Sequence, residues 1–398
     1  MKKMYATSDM SSRWEDIDFQ KASRHVQKLQ KRIGIAFSIG AFDKALSLQH
    51  KLIHSFYAKA LAVKRVTTTH GKHTAGVDNV IWKTPEQKFN AIADLTFRGY
   101  KPKALKRRYI SKRNGGKRPL SIPTMKDRAM QTLYMFALEP IVEVIGDKHS
   151  YGFRKKRSAK KAVKACLDLL RGNPNYRWVL NADIKSCFDN INHEWLMSQI
   201  PMDKKRLRQF LKCGYVYNGK FTPVERGVPQ GGSLSGILCN MTLDGLENVL
   251  GEKFEHSVQM VRYADDIIVI ADSLQKVQAV VPIINNFLRV RGLSLSHEKT
   301  KCCDVRKGFT FLGYKIYEKD GRVLAEPKGA NIESILKKLT NEIESRNEDS
   351  FYSMVNSLKS IIRGWLNYYE GIATQSSIDN VKCRMIKLIE SHCMDNSL

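Results

Sequence analysis

The chain has 398 residues, of which 42% are hydrophobic, and it carries a formal net charge of +28 at pH 7. This length and apolar content suffice to bury a core and predict two or three domains, which excludes a disordered protein. The positive charge excludes an ordinary near-neutral surface and indicates a polyanionic partner, of which nucleic acid is the commonest.

The first part of the chain is predicted as helices followed by a basic hairpin. Residues 14–66 repeat apolar side chains at three- and four-residue steps, which is typical of amphipathic helices, and residues 67–80 form a Gly- and Thr-rich loop. The turn RNGG between RRYISK and KRPLSIP predicts a β-hairpin. It lies within residues 101–118, which hold nine basic side chains and no acidic one, as expected for a phosphate-binding segment. A helix follows from Asp127 to Ile145.

The rest of the chain alternates strands and helices. We predict strands at 177–184, 258–263 and 266–272, a hairpin at 309–326, helices from about residue 189, at 237–250, 276–291 and 330–395, and a Gly/Ser loop at 227–236. The order strand, helix, two-strand hairpin, helix and strand between residues 177 and 316 is that of a split βαββαβ unit. The predicted fold class is therefore α+β.

Acidic residues stand at two strand ends of this unit. Asp183 closes the apolar strand RWVLNAD, and Asp265 and Asp266 form the tip of the hairpin RYADDIIVIAD. The split arrangement sets the first strand beside the hairpin, so the three like charges are expected to meet and to need a cation between them. Their oxygens suit two Mg²⁺ ions, or Mn²⁺, which would activate a primer 3′-oxygen and stabilise the leaving pyrophosphate. The alternative is a solvated turn, which the apolar flanks VQMV and IIVIA disfavour.

Three further motifs predict a nucleotide pocket. Phe188, in the turn after the first strand, can stack on a sugar and clash with a 2′-hydroxyl, which would select deoxynucleotides; it can also be a core aromatic. Lys112 and Arg118, on opposite arms of the Gly turn, suit a triphosphate, or alternatively non-specific contact with RNA. In the loop VPQGGSLSG, Gln230 precedes Gly231, where a base pair or ribose could approach the backbone closely.

These segments, in this order, resemble motifs of the bacterial group II intron-type reverse transcriptases. Also similar to that family are TAGVDNVIW, HSYGFRKKRSAKKAV, LSHEKTK, FTFLGYKI and IIRGWLNYY. The resemblance implies a right-hand polymerase fold with an N-terminal helical extension (1–66), fingers (67–176), a palm (177–328) and a helical thumb (329–398). The chain departs from the family at Gly236 and Asn79, where Pro and Gly are usual. Since only a short segment follows the thumb motif, we expect the DNA-binding and endonuclease regions of some relatives to be lacking.

The resemblance also assigns roles to residues. Asp183, Asp265 and Asp266 would be the catalytic metal ligands, with the backbone of Ile184 as a further ligand. Phe188 would be the sugar gate, and Lys112, Arg118, Gln230, Gly231 and Lys299 would contact the nucleotide. The residues implied to bind primer or template are Tyr263, Phe311, Leu312, Gly313, Tyr314, Arg154, Arg363 and Trp365.

The implied activity is RNA-directed DNA synthesis, with an RNA template, a DNA primer and product, and dNTPs as partners. One hypothesis is a domesticated enzyme that copies a dedicated non-coding RNA in defence against phage. Another is an endonuclease-less intron-encoded reverse transcriptase and maturase that promotes splicing and retromobility. A non-catalytic RNA-binding protein is disfavoured by the three intact acids, and an RNA-synthesising polymerase by Phe188.

Other features concern compartment and assembly. The eight cysteines show no CxxC pair or zinc spacing, which predicts reduced thiols. The N-terminus lacks an apolar signal segment, and no apolar run has membrane-spanning length, so we expect a cytoplasmic bacterial protein without a membrane partner. The sequence does not indicate an oligomeric state.

Overall fold

The computed structural model describes residues 13–111, 115–344 and 351–395, without the side chains of Phe351 and 392–395. The helices are α1 (Phe19–Ser38), α2 (Phe42–His54), α3 (Phe56–Thr68), α4 (Pro85–Asp94), α5 (Met125–Ile145), α6 (Ala159–Gly172), α7 (Cys187–Asn190), α8 (His193–Gln199), α9 (Lys204–Leu211), α10 (Ser235–Leu243), α11 (Leu246–Lys253), α12 (Leu274–Arg289), α13 (Gly329–Glu344), α14 (Phe351–Tyr369) and α15 (Gln375–Asp395). The strands are β1 (Leu105–Ser111), β2 (Lys117–Ile122), β3 (Trp178–Asp183), β4 (Tyr215–Tyr217), β5 (Lys220–Thr222), β6 (Gln259–Tyr263), β7 (Asp266–Ala271), β8 (Lys301–Asp304), β9 (Phe309–Phe311), β10 (Tyr314–Lys319) and β11 (Arg322–Pro327). Among these described helices, none combines the length and apolar character needed to cross a membrane.

The chain divides into two compact units, and each unit is assembled from three separate segments. Unit 1 comprises Met1–Gly146, Ser186–Gly245 and Phe287–Ser294, and unit 2 comprises Asp147–Lys185, Leu246–Asn286 and Leu295–Leu398. The predicted division into extension, fingers, palm and thumb follows functional boundaries rather than compactness, and it stays a prediction.

The helical part of unit 1 is built around α5. Helices α1, α2 and α3 all pack against α5, whose side chains from Asp127 to Leu138 are buried without a break. The Asp18 carboxylate accepts hydrogen bonds from the backbone N–H groups of Gln20 and Lys21 at 2.9 and 2.8 Å, which satisfies free donors at the start of α1. These elements confirm the helices predicted within residues 14–66 and from Asp127 to Ile145.

Unit 1 also holds a four-stranded sheet in the order β2-β1-β4-β5. The predicted basic hairpin is present as β1 and β2, and Lys112 in its turn lies outside the described residues. The hairpin β4–β5 was not predicted. Its two-residue turn, Asn218-Gly219, has φ values of +48° and +78°, the left-handed conformations that such a turn requires. Strand β4 pairs parallel to β1.

The sheet of unit 2 has the order β6-β7-β3-β8, and every neighbouring pair is antiparallel. This is the strand order expected of a split βαββαβ unit, but one prediction within it is wrong. The fourth strand is β8 rather than residues 309–316. Those residues instead form β9 and the start of β10, which join β11 in a separate three-stranded sheet.

The helix predicted over residues 237–250 is two helices, α10 and α11. Asp244 adopts an extended backbone conformation at the end of α10, and Gly245 follows with φ +93°, which a continuing helix cannot contain. In unit 2, Val179 and Ile268 of the sheet belong to one buried core with Leu167 of α6 and Leu339 of α13. The acidic strand ends are thus attached to the most deeply buried strands of that unit.

Candidate active site

The three predicted catalytic acids lie together at one end of the unit 2 sheet. Asp183, the last residue of β3, is directly opposite Asp266, the first residue of β7. Asp266 is also paired with Tyr263 across the β6–β7 hairpin, whose two-residue turn is Ala264-Asp265. Side chains opposite each other on antiparallel strands lie about 5 Å apart at their β-carbons. Strand register therefore brings Asp183 to the adjacent pair Asp265 and Asp266, from which it is distant in sequence.

The proximity of these acids is visible in their electrostatics. Burial, followed by the charges of Asp265 and Asp183, raises the pKa of Asp266 to about 6. The Lys299 ammonium lies 2.8 Å from Oδ2 of Asp183, and this hydrogen bond raises the pKa of Lys299. Thus one cation from the chain offsets part of the negative charge, and Asp266 still experiences an excess of it.

A divalent cation fits this donor set by charge and by chemistry. All three ligands would be carboxylate oxygens, which suit hard cations, and such a cation would neutralise the charges of Asp265 and Asp183, which add to the effect of burial in raising the pKa of Asp266. In the described part of the chain, no three His, Cys, Asp or Glu side chains are already arranged around one ion position. The Ile184 side chain is buried, and its backbone forms a β-bridge with Leu295. The ligand set therefore stays a prediction.

A segment that we call the strap, residues 147–152, supports the acidic turn. The Tyr151 N–H donates to the carbonyl of Arg262 at 2.8 Å, and the Arg262 N–H donates to the carbonyl of His149 at 2.9 Å. Gly152 lies so close to the turn that a β-carbon built on it would be 2.5 Å from the Ala264 nitrogen. Only glycine permits this approach, because the contact is with backbone. The sequence motif YGFR contains this glycine, for which no role was predicted.

Buried charges tie the strap to β6. Arg262 is fully buried, and its Nη2 lies 3.3 Å from Oδ2 of Asp147, which is also buried. Its Nη1 lies 3.4 Å from the carbonyl oxygen of Ala264 in the acidic turn. An ion pair removed from water in this way is costly to break, because either partner alone would remain as a buried charge. The pair therefore fixes the strap and the acidic turn to the same strand.

Two arginines of the basic motif YGFRKKRS donate hydrogen bonds to the strap, one from a buried and one from a half-buried position. Arg154 is buried, and its Nε donates to the Ser150 hydroxyl at 3.1 Å. Arg157 donates to the carbonyls of Lys148 and Ser150 at 2.8 and 2.6 Å. Arg154 therefore does not present an exposed guanidinium to primer or template, as the resemblance had implied, because its side chain is buried and donates to Ser150 of the strap.

The FLGY motif divides into buried and accessible residues. Phe311 and Tyr314 are 3% and 0% exposed, so these two side chains belong to the core rather than to a primer-binding surface. Leu312 and Gly313 form the turn between β9 and β10, with φ +46° and +83°. Only this turn, which is partly exposed, is available from the motif for the predicted primer contact.

Helix α14 holds that turn. The Tyr368 hydroxyl donates to the Leu312 carbonyl at 2.7 Å, and the Tyr369 hydroxyl donates to the Gly313 carbonyl at 3.2 Å. Trp365 is 9% exposed and packs on Tyr369 with ring centroids 4.5 Å apart, so it supports the helix rather than offering a free surface. Arg363 is exposed, as expected of a residue that contacts nucleic acid.

In unit 1, Phe188 and Gln230 line a cavity of about 310 Å³. The Gln230 side-chain amide donates to both carboxylate oxygens of Asp189 at 3.2 Å, and the Gln230 backbone carbonyl accepts from the Ser121 N–H at 2.8 Å. Gly231 has φ +117°, and a β-carbon there would be 2.8 Å from the Ser121 carbonyl oxygen. The backbone that approaches Gly231 closely is therefore that of Ser121 on β2, which belongs to the same unit. Arg118 is exposed on β2 and does not line this cavity.

Comparison with known proteins identifies the class to which this arrangement belongs. Residues 110–316 match the reverse transcriptase (RNA-dependent DNA polymerase) family. Residues 14–95 match the N-terminal domain of reverse transcriptase, and residues 332–396 match the group II intron maturase-specific domain. The chain belongs to the reverse transcriptase family and is of the group II intron type. The predicted fold class and the predicted enzyme class are confirmed, and members of this class depend on divalent metal ions.

Individual relatives are distant. Protein YkfC of Escherichia coli is 29% identical over 348 residues, which cover 75% of this chain and 90% of that protein. The group II intron-encoded protein LtrA of Lactococcus lactis is 35% identical over 196 residues, which cover 47% of this chain and 32% of that protein. The match thus spans about a third of LtrA. Apo telomerase from Candida tropicalis aligns over 75% of this chain and 59% of its own, with a TM-score of 0.47 and 17% identity.

Proposed function

We propose that the protein copies an RNA template into complementary DNA, using dNTPs, a DNA primer and Mg²⁺ bound by Asp183, Asp265 and Asp266. The observation that carries this proposal is the register of Asp183 opposite Asp266, beside the turn that contains Asp265, in a chain of the reverse transcriptase family. The clustering of three carboxylates at this end of the sheet supports the choice of a divalent cation.

Each residue would have a separate task in nucleotidyl transfer. Bound Mg²⁺ would supply Lewis acidity toward the reacting phosphoryl oxygens. The three carboxylates would hold that cation at the end of a rigid sheet. Lys299, whose side chain is 66% exposed, balances Asp183 and has room to turn toward the triphosphate of an incoming nucleotide. In unit 1, Phe188 would be the sugar gate that rejects a 2′-hydroxyl, and Gln230 would contact the incoming nucleotide.

Primer extension on an RNA template with dNTPs tests this proposal. The variant Asp265→Asn/Asp266→Asn keeps the shape of both side chains and removes two charges, so we expect the extension rate to fall by about 1,000-fold or more. Asp272→Asn is the matched control, because Asp272 follows the opposite end of β7 and pairs with Lys276 at 2.6 Å. Extension by the double variant at the rate of the control would refute the assignment.

Two biological roles are compatible with this chemistry. The match of residues 332–396 to the group II intron maturase-specific domain, together with the intron-encoded relative, supports a role as maturase in splicing and mobility of an intron RNA. The other role is defence against phage with a dedicated non-coding RNA, which rests on the sequence resemblance alone. The cytoplasmic location and the lack of a membrane partner likewise stay predictions.

The RNA that the protein binds in cells distinguishes these roles. We expect cross-linking, purification and sequencing to recover a group II intron with its splice junctions. Recovery of a short structured RNA without splice sites, joined to complementary DNA, would instead support the defence role.

A further inference from the structure

One face of the unit 1 sheet carries exposed aromatic and basic side chains. Side chains two positions apart on a strand share a face, which groups Arg107 with Tyr109 on β1 and Tyr215 with Tyr217 on β4. The rings of Tyr109 and Tyr217 meet edge to face with centroids 5.2 Å apart, and the Arg107 guanidinium lies 3.9 Å from the Tyr215 ring centroid. We call these four residues the aromatic face.

The aromatic face is accessible and electrostatically one-sided. Tyr109 and Tyr217 are 45% and 42% exposed, which is unusual for two aromatic side chains in contact. They border a cavity of about 570 Å³ that is also lined by Lys106, Arg107 and Arg108, and none of the described residues that line it is acidic. Such a surface attracts a polyanion, and its aromatic rings can contact the apolar groups of that polyanion.

Arg107 adds an unsatisfied donor to this surface. Its Nε is buried and has no hydrogen-bond partner among the described residues. A buried N–H without a hydrogen-bond acceptor costs free energy, so a ligand that supplies an acceptor would bind more tightly. Phosphate oxygens and the edges of unpaired bases are acceptors that a guanidinium contacts well.

We propose that the aromatic face binds single-stranded RNA by stacking unpaired bases on Tyr109 and Tyr217 while Arg107 and its basic neighbours contact the phosphates. Every base has a π-face, so this recognition tolerates any sequence, but it requires that the bases are not already stacked in a duplex. This inference rests on the proposed function only in that RNA is the partner. It adds a site for the unpaired part of that RNA, beside the cavity of Phe188 and Gln230, which Arg107 also lines.

Fluorescence anisotropy with two labelled probes tests the proposal. One probe is a short oligoadenylate RNA, and the other is an abasic strand of equal length and charge. Binding is measured at fixed ionic strength, because phosphate contacts depend on salt, and in EDTA without dNTPs. If the protein bound these probes but did not extend a primer, the proposed function would be refuted, and the proposal that the aromatic face binds RNA would still stand.

The aromatic face is varied in two ways and compared with a matched tyrosine elsewhere. We expect Tyr109→Ala/Tyr217→Ala to weaken oligoadenylate binding by about 10- to 100-fold, with little change for the abasic strand. Tyr109→Phe/Tyr217→Phe keeps the rings and should bind both probes like the wild type. Tyr352→Ala, which removes an 81% exposed tyrosine on α14, is the control and should also leave both affinities unchanged.

Three outcomes would overturn the proposal: unchanged oligoadenylate affinity in the Ala variant, an equal loss on both probes, or displacement of the RNA by a polyglutamate peptide of equal charge as effective as unlabelled RNA. The last would indicate an acidic protein partner. Circular dichroism checks folding. Should the double Ala variant not fold, Arg107→Lys provides a separate test: it keeps the charge but loses the ring contact and the planar donors, so it should weaken binding of both probes, which share the same phosphates. An Arg107→Lys variant with wild-type affinity for both probes would likewise contradict the proposal.

Discussion

Two hairpins in this protein have two-residue turns of opposite character. In unit 1, β4 and β5 are joined by Asn218-Gly219, and nothing lies within 4 Å of a β-carbon built on Gly219. In unit 2, β6 and β7 are joined by Ala264-Asp265, and Ala264 has φ +55° although it is not glycine. Ala264 is buried against Gly152 of the strap.

The difference shows where the chain depends on local sequence and where it depends on tertiary packing. Asn and Gly adopt left-handed conformations at little cost, so the unit 1 turn forms from its own residues. An alanine in that conformation costs about 1–2 kcal/mol. Such a residue persists when the surroundings determine its conformation, and here the surroundings are the strap and the Arg262–Asp147 ion pair. The Ala264-Asp265 turn is stabilised by contacts with other segments of unit 2, whereas the Asn218-Gly219 turn is stabilised by its own residues.

The largest expected effect comes from breaking the ion pair behind the acidic turn. Asp147→Asn leaves Arg262 buried with a neutral partner, so we expect unit 2 to lose about 3–5 kcal/mol of stability. Hydrogen exchange in residues 259–271, followed by mass spectrometry, measures this loss as faster opening of β6 and β7. The control is Glu333→Gln, which removes an exposed partner of Arg384 and should cost less than about 1 kcal/mol. Equal protection in both variants would mean that the acidic turn does not depend on the buried pair.

A smaller effect is expected from filling the space beside Ala264. In Gly152→Ala the new β-carbon meets backbone that must move, which should cost about 1–3 kcal/mol and slow primer extension, because Asp265 follows the displaced residue. Gly172→Ala is the matched control, since its β-carbon meets nothing within 4 Å at the end of α6. Urea unfolding and extension rates are compared for the two variants. Similar behaviour of both would show that Gly152 is not a required close contact.

The smallest loss of stability is expected from a substitution in the Asn218-Gly219 turn. Gly219→Ala introduces no steric contact, so its cost should be only that of a left-handed alanine, about 1 kcal/mol. Urea unfolding monitored by hydrogen exchange in β4 and β5 gives this value. A loss as large as that of Gly152→Ala would remove the distinction between the two turns.

Much of the fold followed from periodicity and turn chemistry. The helices α1 to α3, the β1–β2 hairpin and the β6–β7 hairpin were predicted, because each has a repeat or turn that operates within a few residues. The β4–β5 hairpin was missed although its sequence YNGK contains the Asn-Gly signal, since its strands are only three residues long. Strand β8 carries no comparable signal, and its sequence KCCD becomes a strand only by pairing with β3.

The sequence was sufficient to predict the catalytic acids of the candidate site, but not the burial of the side chains around them. Asp183, Asp265 and Asp266 stood out because acids at the ends of apolar strands are rare, and the structure brings them together. The burial of Arg154 and Tyr314 could not be predicted from their motifs, because a sequence motif does not indicate whether a basic or aromatic side chain lies on the surface or in the core.

The sequence by itself determined the order of helices and strands, the acids available for chemistry and the class of polymerase, because these depend on local spacing and on residue type. Only the tertiary structure decided that Gly152 abuts Ala264, that Arg262 is buried against Asp147, and that β4 lies beside β1 to form the aromatic face. The physical reason is that these contacts join segments far apart in the chain. Their energies depend on burial and on shape, which no local pattern encodes.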